Sequence, residues 1–227
     1  MSPPKIKKSK NATMLQIEKF TVNALQENCY VVSDETKECV IIDCGASNAE
    51  EFKQITDYIA EEGLTPMHLL MTHAHIDHCI GNPRVFAEYG LKPQVHESDE
   101  PLLDKMQMQQ DVLMPGTEML TMPPVERFLT EQDTICFGSH TFTVIYTPGH
   151  SPGCVFYYCE AEKVAFSGDT LFKGSIGRTD FMGGRMFSII QSLRQICQMD
   201  DDIRVLPGHG SETTIGYECA HNMYLDR

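Results

Sequence analysis

The stretch Thr72-His73-Ala74-His75-Ile76-Asp77-His78 brings three imidazoles and a carboxylate within seven residues. The chain has nine histidines, so a third of them crowd into this one segment. Residues 67–71, just before it, form an apolar run that reads as a buried strand, which puts the cluster on the loop where that strand ends. Loops held by a rigid scaffold are where binding and catalytic groups concentrate. Neutral imidazole and carboxylate are ligands for zinc, iron and manganese. A His-rich tract can also be a solvated surface loop, so the rest of the chain has to decide.

Three further polar residues occupy the same kind of place. His150 follows Thr147-Pro148-Gly149, Asp169 follows Val164-Ala165-Phe166-Ser167-Gly168, and His209 follows Ile203-Arg204-Val205-Leu206-Pro207-Gly208. Each comes just after a β-like run, with Gly or Pro setting a tight turn. A lone His at a strand end is more often a hydrogen-bonded loop residue than a ligand. Four strand ends aimed at one rim are a different matter. Together they supply five imidazoles and two carboxylates, enough for two metal ions with open coordination positions.

The patterning around these segments alternates strands and helices. Residues 15–22, 28–33 and 38–42 are short β-like runs between polar turns. Residues 48–62 have helical periodicity through Phe52, Ile55 and Ile59, with Gly63 as C-cap. Residues 83–89 read as a short helix, 93–96 as a strand, and 98–113 as one helix opened by Ser98. In the second half, 127–130, 134–137, 140–146, 155–158, 163–167 and 203–206 are strands. Residues 186–197 form a helix, and the chain is helical again from Ser211. Strands followed by helices, twice over, predict an α+β fold with two stacked sheets between outer helices. No linker divides residues 14–227, which read as a single domain. Residues 1–13 read as a disordered basic tail.

Composition limits the functions open to this chain. The 227 residues are 41% apolar and 22% charged, as expected for a soluble globular protein. No apolar stretch is long enough to span a membrane, and no secretory signal is visible. The net charge is −14, and Lys5, Lys7, Lys8 and Lys10 precede the first acidic residue, Glu18, so the remainder carries 14 − 32 = −18. That argues against a nucleic-acid partner, which calls for a basic face. Nine cysteines with no CxxC pair point to reduced, mostly buried thiols in the cytoplasm. Cys79 reads as a half-buried filler rather than a ligand. Five of the thirteen methionines fall within 106–122, where they read as packing of a helix and its following loop. His68, His96, His140 and His221 have no motif around them and read as structural. A homo-oligomer is left open.

The segments His73-Ala74-His75-Ile76-Asp77-His78, Thr147-Pro148-Gly149-His150-Ser151-Pro152-Gly153, Ser167-Gly168-Asp169-Thr170-Leu171-Phe172 and Pro207-Gly208-His209-Gly210, in that order, resemble the metallo-β-lactamase superfamily, and within it the glyoxalase II-type hydrolases. The resemblance implies a four-layer αββα sandwich with two divalent metal ions at one sheet edge, zinc first, with iron or manganese also compatible. It implies that His73, His75 and His150 hold one metal, that Asp77, His78 and His209 hold the other, and that Asp169 bridges them. A hydroxide between two cations is available near neutral pH and can attack an acyl carbonyl, with Asp77 placed to orient it or take its proton. The resemblance further implies a small acyl thioester as substrate.

Two features depart from the usual glyoxalase II pattern. Only 18 residues follow His209, with Arg227 the sole basic residue among them, in place of a long basic helical region that grips glutathione. This matches the shorter, single-domain branch and leaves the thiol carrier open. Beside Asp169, the stretch Gly174-Ser175-Ile176-Gly177-Arg178-Thr179-Asp180 offers Arg178 as a substrate-binding cation, with Lys173 as a weaker candidate; the competing role for Arg178 is a structural pair with Asp180. The Gly177-Arg178-Thr179-Asp180 stretch also resembles mononuclear iron persulfide dioxygenases, which would use His73, His150 and Asp169 alone. A non-catalytic metal-binding protein is the third reading.

Overall fold

Alternation along the strands decides where the layers form. The computed structural model describes residues 14–225. In it, β1 (Gln16–Val22), β2 (Glu27–Ser33), β3 (Glu38–Ile42), β4 (Thr65–Leu70), β5 (Pro93–His96) and β6 (Arg127–Leu129) form a six-stranded sheet in chain order. The hairpins β1–β2 and β2–β3 are antiparallel, and β3 to β6 run parallel. Parallel neighbours need crossovers, and α1 (Ala49–Glu61) and α2 (Asn82–Tyr89) provide two of them. The short α3 (Glu100–Leu103) and α4 (Met106–Leu113) lie between β5 and β6.

The second half repeats the scheme. It contains β7 (Thr134–Phe137), β8 (His140–Tyr146), β9 (Val155–Cys159), β10 (Val164–Gly168), the hairpin of β11 (Leu171–Phe172) and β12 (Ser175–Ile176), α5 (Met186–Ile196), β13 (Arg204–Pro207), β14 (Thr213–Thr214) and α6 (Ile215–His221). The second six-stranded sheet has the order β14-β13-β10-β9-β8-β7.

Between the sheets, Tyr30, Val32, Val40, Ile42 and Leu70 meet Phe137, Phe142, Val144, Tyr157 and Phe166. The residues one step along the strands, Val31, Ile41 and Leu69, face outward onto Ile55 and Ile59 of α1 and Val85 of α2. On the far side, Phe156, Ala165 and Val205 pack on Ile189, Leu193 and Ile196 of α5 and Ile215 of α6. A strand covered on both faces reads as a near-continuous apolar run because both parities are buried. The result is the expected αββα arrangement. Each fully buried Leu, Ile or Phe contributes about 1.5–3 kcal/mol of burial. Among the described residues no helix is long and apolar enough to cross a membrane.

Local chemistry sets most boundaries. The Asn48 side chain accepts from the Glu50 and Glu51 amides and starts α1, and Gly63, at φ +63°, follows its end. Three expectations need correction. Residues 98–113 are not one helix: a 3-10 turn (Glu97–Asp99) precedes α3, and the chain breaks at Asp104 and Lys105 before α4. The Ser98 amide donates to the His96 ring, so Ser98 is not the cap. β4 ends at Leu70 and buries only Leu69 and Leu70 fully, while Met67 is exposed. Pairing with β5 begins only at Leu69, which leaves the earlier residues at an edge. Cys79 is fully buried rather than half-buried. The basic tail assigned to 1–13, and Arg227, lie outside the described residues.

Candidate metal centre

Four loops converge at one rim of the sandwich. His73 and His75 follow β4, and a 3-10 turn (Ile76–His78) presents Asp77 and His78 from the same loop. His150 follows β8, Asp169 follows β10 directly, and His209 comes two residues after β13. A register shift between β10 and β13 at Phe166/Gly168, with Gly168 at φ +48°, turns the chain into Asp169. Gly208 is required by space: a Cβ there would lie 2.5 Å from both Asp169 Oδ1 and His78 Cε1.

Among the described residues, three sets of side chains could each hold a metal ion with their atoms within 4.8 Å of one another: His73/His75/His150, Asp77/His78/His209, and Asp43/His73/His78, which shares one histidine with each of the other two. Asp169 stands between the first two. Its Oδ1 is 3.3 Å from His78 Nε2, and its Oδ2 is 3.4 Å from His150 Nε2 and 3.7 Å from His209 Nε2. Asp77 Oδ2 is 3.3 Å from His209 Nε2. Six of the seven residues are buried, and His209 is the partly open one.

Outer nitrogens of four rings are tethered, while the inner donor atoms face one another. His73 Nδ1 lies 3.1 Å from Thr72 Oγ1, His78 Nδ1 3.1 Å from Asp43 Oδ2, His150 Nδ1 2.8 Å from the Arg178 carbonyl, and His209 Nδ1 3.1 Å from the Leu25 carbonyl. Tethering of this kind fixes ring orientation in metal sites. Meanwhile His73 Nε2 is buried with no hydrogen-bond partner, His78 Nε2 and Asp169 Oδ1 have a 3.3 Å ion-pair contact with each other, and His75 Nδ1 lies 2.8 Å from His150 Nε2, so that donor atoms crowd together on the inner side. Buried polar groups are nearly always satisfied, and a bound cation is the natural partner for such a set.

Electrostatics point the same way. Burial pushes His73 down, and the neighbouring His78 and His75 add to it; burial and then His150 hold His75 down at about 3. These rings are neutral donors. Burial works against the Asp169 carboxylate, but His78 and His150 outweigh it and keep the group ionised. Burial also disfavours the His78 cation, which Asp169 and Asp77 nevertheless raise. A divalent ion would replace that proton as the counter-charge. The residues present therefore fit a pair of divalent cations.

A cavity of about 230 Å³ opens onto the centre, walled by Leu25, Leu113, Phe181 and Arg178 above His75, Asp77, His150, Asp169 and His209. The sequence profile of the metallo-beta-lactamase superfamily matches residues 22–209. The chain belongs to the metallo-beta-lactamase superfamily. Among its relatives, hydroxyacylglutathione hydrolase GloC of Haemophilus influenzae is 32% identical over 220 residues, covering 93% of this chain and 99% of that protein. Two solved structures are each 34% identical: the BLEG-1 B3 metallo-beta-lactamase (TM-score 0.85, 93% and 100% of the two chains) and TTHA1623 in a di-iron-bound form (TM-score 0.81, 92% and 100%).

Within this superfamily site, all seven residues singled out as ligands come together. Arg178 lies at the cavity wall but is also paired with Asp180 through Nε at 2.8 Å and Nη2 at 3.1 Å, and its guanidinium sits 5.7 Å from the Phe181 ring centre. Lys173 is not among the lining residues; its Nζ lies over the Tyr217 ring at 5.7 Å.

Two supporting carboxylates escaped the sequence reading. Asp43 accepts from the Thr72 amide at 2.7 Å and the Thr72 hydroxyl at 2.6 Å, besides touching His78. It follows Val40-Ile41-Ile42, the same strand-then-aspartate pattern that singled out Asp169, so a signal existed. Asp99 accepts from the Ala74 amide and the Ser151 hydroxyl, both at 2.8 Å, and so joins the His75 loop to the His150 loop. Nothing near it in sequence marks that role. The five methionines of 106–122 fall mostly in the apolar cluster beneath the centre, with Met108 exposed.

Proposed function

We propose that the chain is a binuclear metal-dependent hydrolase of small acyl thioesters, with His73, His75 and His150 at one ion, Asp77, His78 and His209 at the other, and Asp169 shared. When bound, two divalent cations supply water activated near neutral pH and polarise an acyl carbonyl. The protein's own groups do the rest. Asp77, buried yet held below the usual carboxylate range chiefly by His78 and a hydrogen bond with His209, orients the attacking water or takes its proton. Leu25, Leu113 and Phe181 confine the acyl chain and exclude bulk water, and Arg178 offers a charge to a substrate carboxylate or hydroxyl.

One observation carries the thioester reading. Among the described residues, the cavity walls beyond the candidate ligands are Leu25, Leu113, Arg178 and Phe181, none of them a proton donor near neutral pH. Such walls suit a leaving group that needs little acid assistance. A thiolate, whose free thiol has a pKa of ~8.5, needs less help to leave than an alkoxide does. The likeness to GloC supports the same substrate class. The Asp77/His78/His209 group is complete, which favours two ions over the single iron of a persulfide dioxygenase and favours catalysis over mere metal storage. We place the activity in the cytoplasm, since none of the nine cysteines is joined in a disulfide.

The deciding experiment compares kcat/KM for a thioester, its oxygen ester and a β-lactam, using protein loaded separately with zinc, iron and manganese. Preference for the thioester with two ions per chain supports the proposal. Persulfide oxidation by a one-iron form, or β-lactam turnover exceeding thioester turnover, overturns it.

A further inference from the structure

The metal centre leaves the cysteines unused, and two of them face each other outside it. Cys197 caps the C-terminus of α5, and Cys219 lies in α6. Their sulfurs are 2.8 Å apart, whereas the thiol of Cys79 and the sulfur of Met106 are 3.8 Å apart. Sulfurs in a disulfide are about 2.05 Å apart, so a short further approach separates this pair from a bond. Both side chains belong to the apolar layer between the second sheet and its helices, Cys197 buried and Cys219 partly so.

We infer that Cys197 and Cys219 form a redox modification site, closing into a reversible disulfide by exchange with a low-molecular-weight disulfide. Access distinguishes this pair. Cys197 borders an open surface hollow of about 730 Å³ together with Lys163 and Asp200, and also a smaller cavity of about 130 Å³ with Leu193 and Tyr224. Cys29 and Cys44 are also close enough to interact, but both are fully buried and no exchange partner can reach them.

The exchange balances without any other oxidant. The Cys219 thiolate attacks one sulfur of the small disulfide, whose S–S bond breaks and releases one thiol. The Cys197 thiolate then attacks the Cys219 sulfur of the mixed disulfide and releases the second thiol. Both cysteine protons end on the two released thiols. One disulfide is reduced and one is formed. In a reducing compartment such a bond is conditional rather than permanent.

The bond would fasten α6 to α5, and α6 in turn supports the active-site rim. Glu218 accepts from the Gly174 amide at 2.8 Å, and Asn222, which caps α6, donates to the Ser175 carbonyl at 3.1 Å. Those two contacts hold the β11–β12 hairpin, which lies between Asp169 and Arg178. The candidate ligands themselves are untouched.

The test uses the full-length protein equilibrated with oxidised or with reduced glutathione. It is then quenched in acid, unfolded, alkylated and weighed. Nine alkylated thiols are expected after reduction and seven after oxidation, with tryptic peptides 195–204 and 205–227 linked. Cys197→Ser should trap a single glutathione adduct on Cys219, and Cys219→Ser should form no internal bond. Nine thiols after oxidation, or a link between Cys29 and Cys44 in place of this one, overturns the inference. Thiol count is read without any turnover, so this outcome is independent of the thioester reading.

Discussion

Asp43 Oδ2 lies 3.1 Å from His78 Nδ1, behind the ring face that points into the centre. This makes Asp43 the orienting partner of His78, and a second carboxylate oxygen to the Thr72 amide locks it in place. Asp43→Asn keeps the shape but weakens the acceptor. Metal affinity should fall about 10–100-fold, as for other orienting partners of metal-bound imidazoles. Equilibrium dialysis followed by elemental analysis reads this directly; unchanged affinity would remove Asp43 from the site's support.

Asp169→Ala should strip the anion shared by the two donor groups, so that metal content and hydrolysis fall together. His96→Ala is the control. His96 stacks on Tyr146 at 4.4 Å between ring centres, away from the donors, and its loss should cost about 0.5–3 kcal/mol of stability with metal content retained. If the two variants lost metal to the same extent, the ligand assignment would be wrong.

Arg178→Ala should separate substrate binding from structure. Arg178 and Asp180 are both well exposed, and exposed pairs contribute only about 0–1 kcal/mol. The melting temperature should therefore barely move. If Arg178 pairs with the acyl group, kcat/KM should drop about tenfold or more, the ~1.5–3 kcal/mol of a charge-assisted contact. Unchanged kinetics would reduce Arg178 to its pair with Asp180.

Asp34 should govern part of the acid limb of stability. Burial opposes its charge, but hydrogen bonds from Thr36, His140 and Ser139 outweigh this and hold it well below the usual carboxylate range. A depressed folded-state pKa means that the unfolded chain binds the proton first as pH falls. The stabilisation is therefore present above the unfolded value, about 3.9, and is lost as pH drops toward the folded one. Asp34→Asn should cost about 1–3 kcal/mol near pH 7 and flatten the loss between pH 5 and 3. Parallel unfolding curves for the two proteins would refute this.

How far the sequence could be read depended on the kind of physical signal. Asp169 is legible because it ends β10, an apolar run buried on both faces; His73 and His150 follow β4 and β8, which are only partly buried, and are marked instead by the crowding of histidines and by the Pro-Gly turn before His150. The helix at 98–113 was misread because its break at Asp104–Lys105 carries no proline or glycine. Tertiary bonds decide it: Asp99 is drawn to Ala74 and Ser151, and Gln109 bonds to Ala74 and Leu102. The two-residue strands β11, β12 and β14 are too short to display any period. Arg178 was legible as a candidate but not in its role, because its distances to Asp180 and to the cavity are set by the fold.

The donors come from both halves of the chain: four side chains rise from the loop after β4, and three from loops of the opposite sheet. Neither sheet alone could hold a full complement. Ion affinity is thus a gauge of how tightly the halves are joined, and joining is itself favoured by the ion, by about 2.7 kcal/mol at a hundredfold excess over the dissociation constant. Polypeptides cut near residue 132, between the sheets, should reassociate more tightly with zinc than with a chelator.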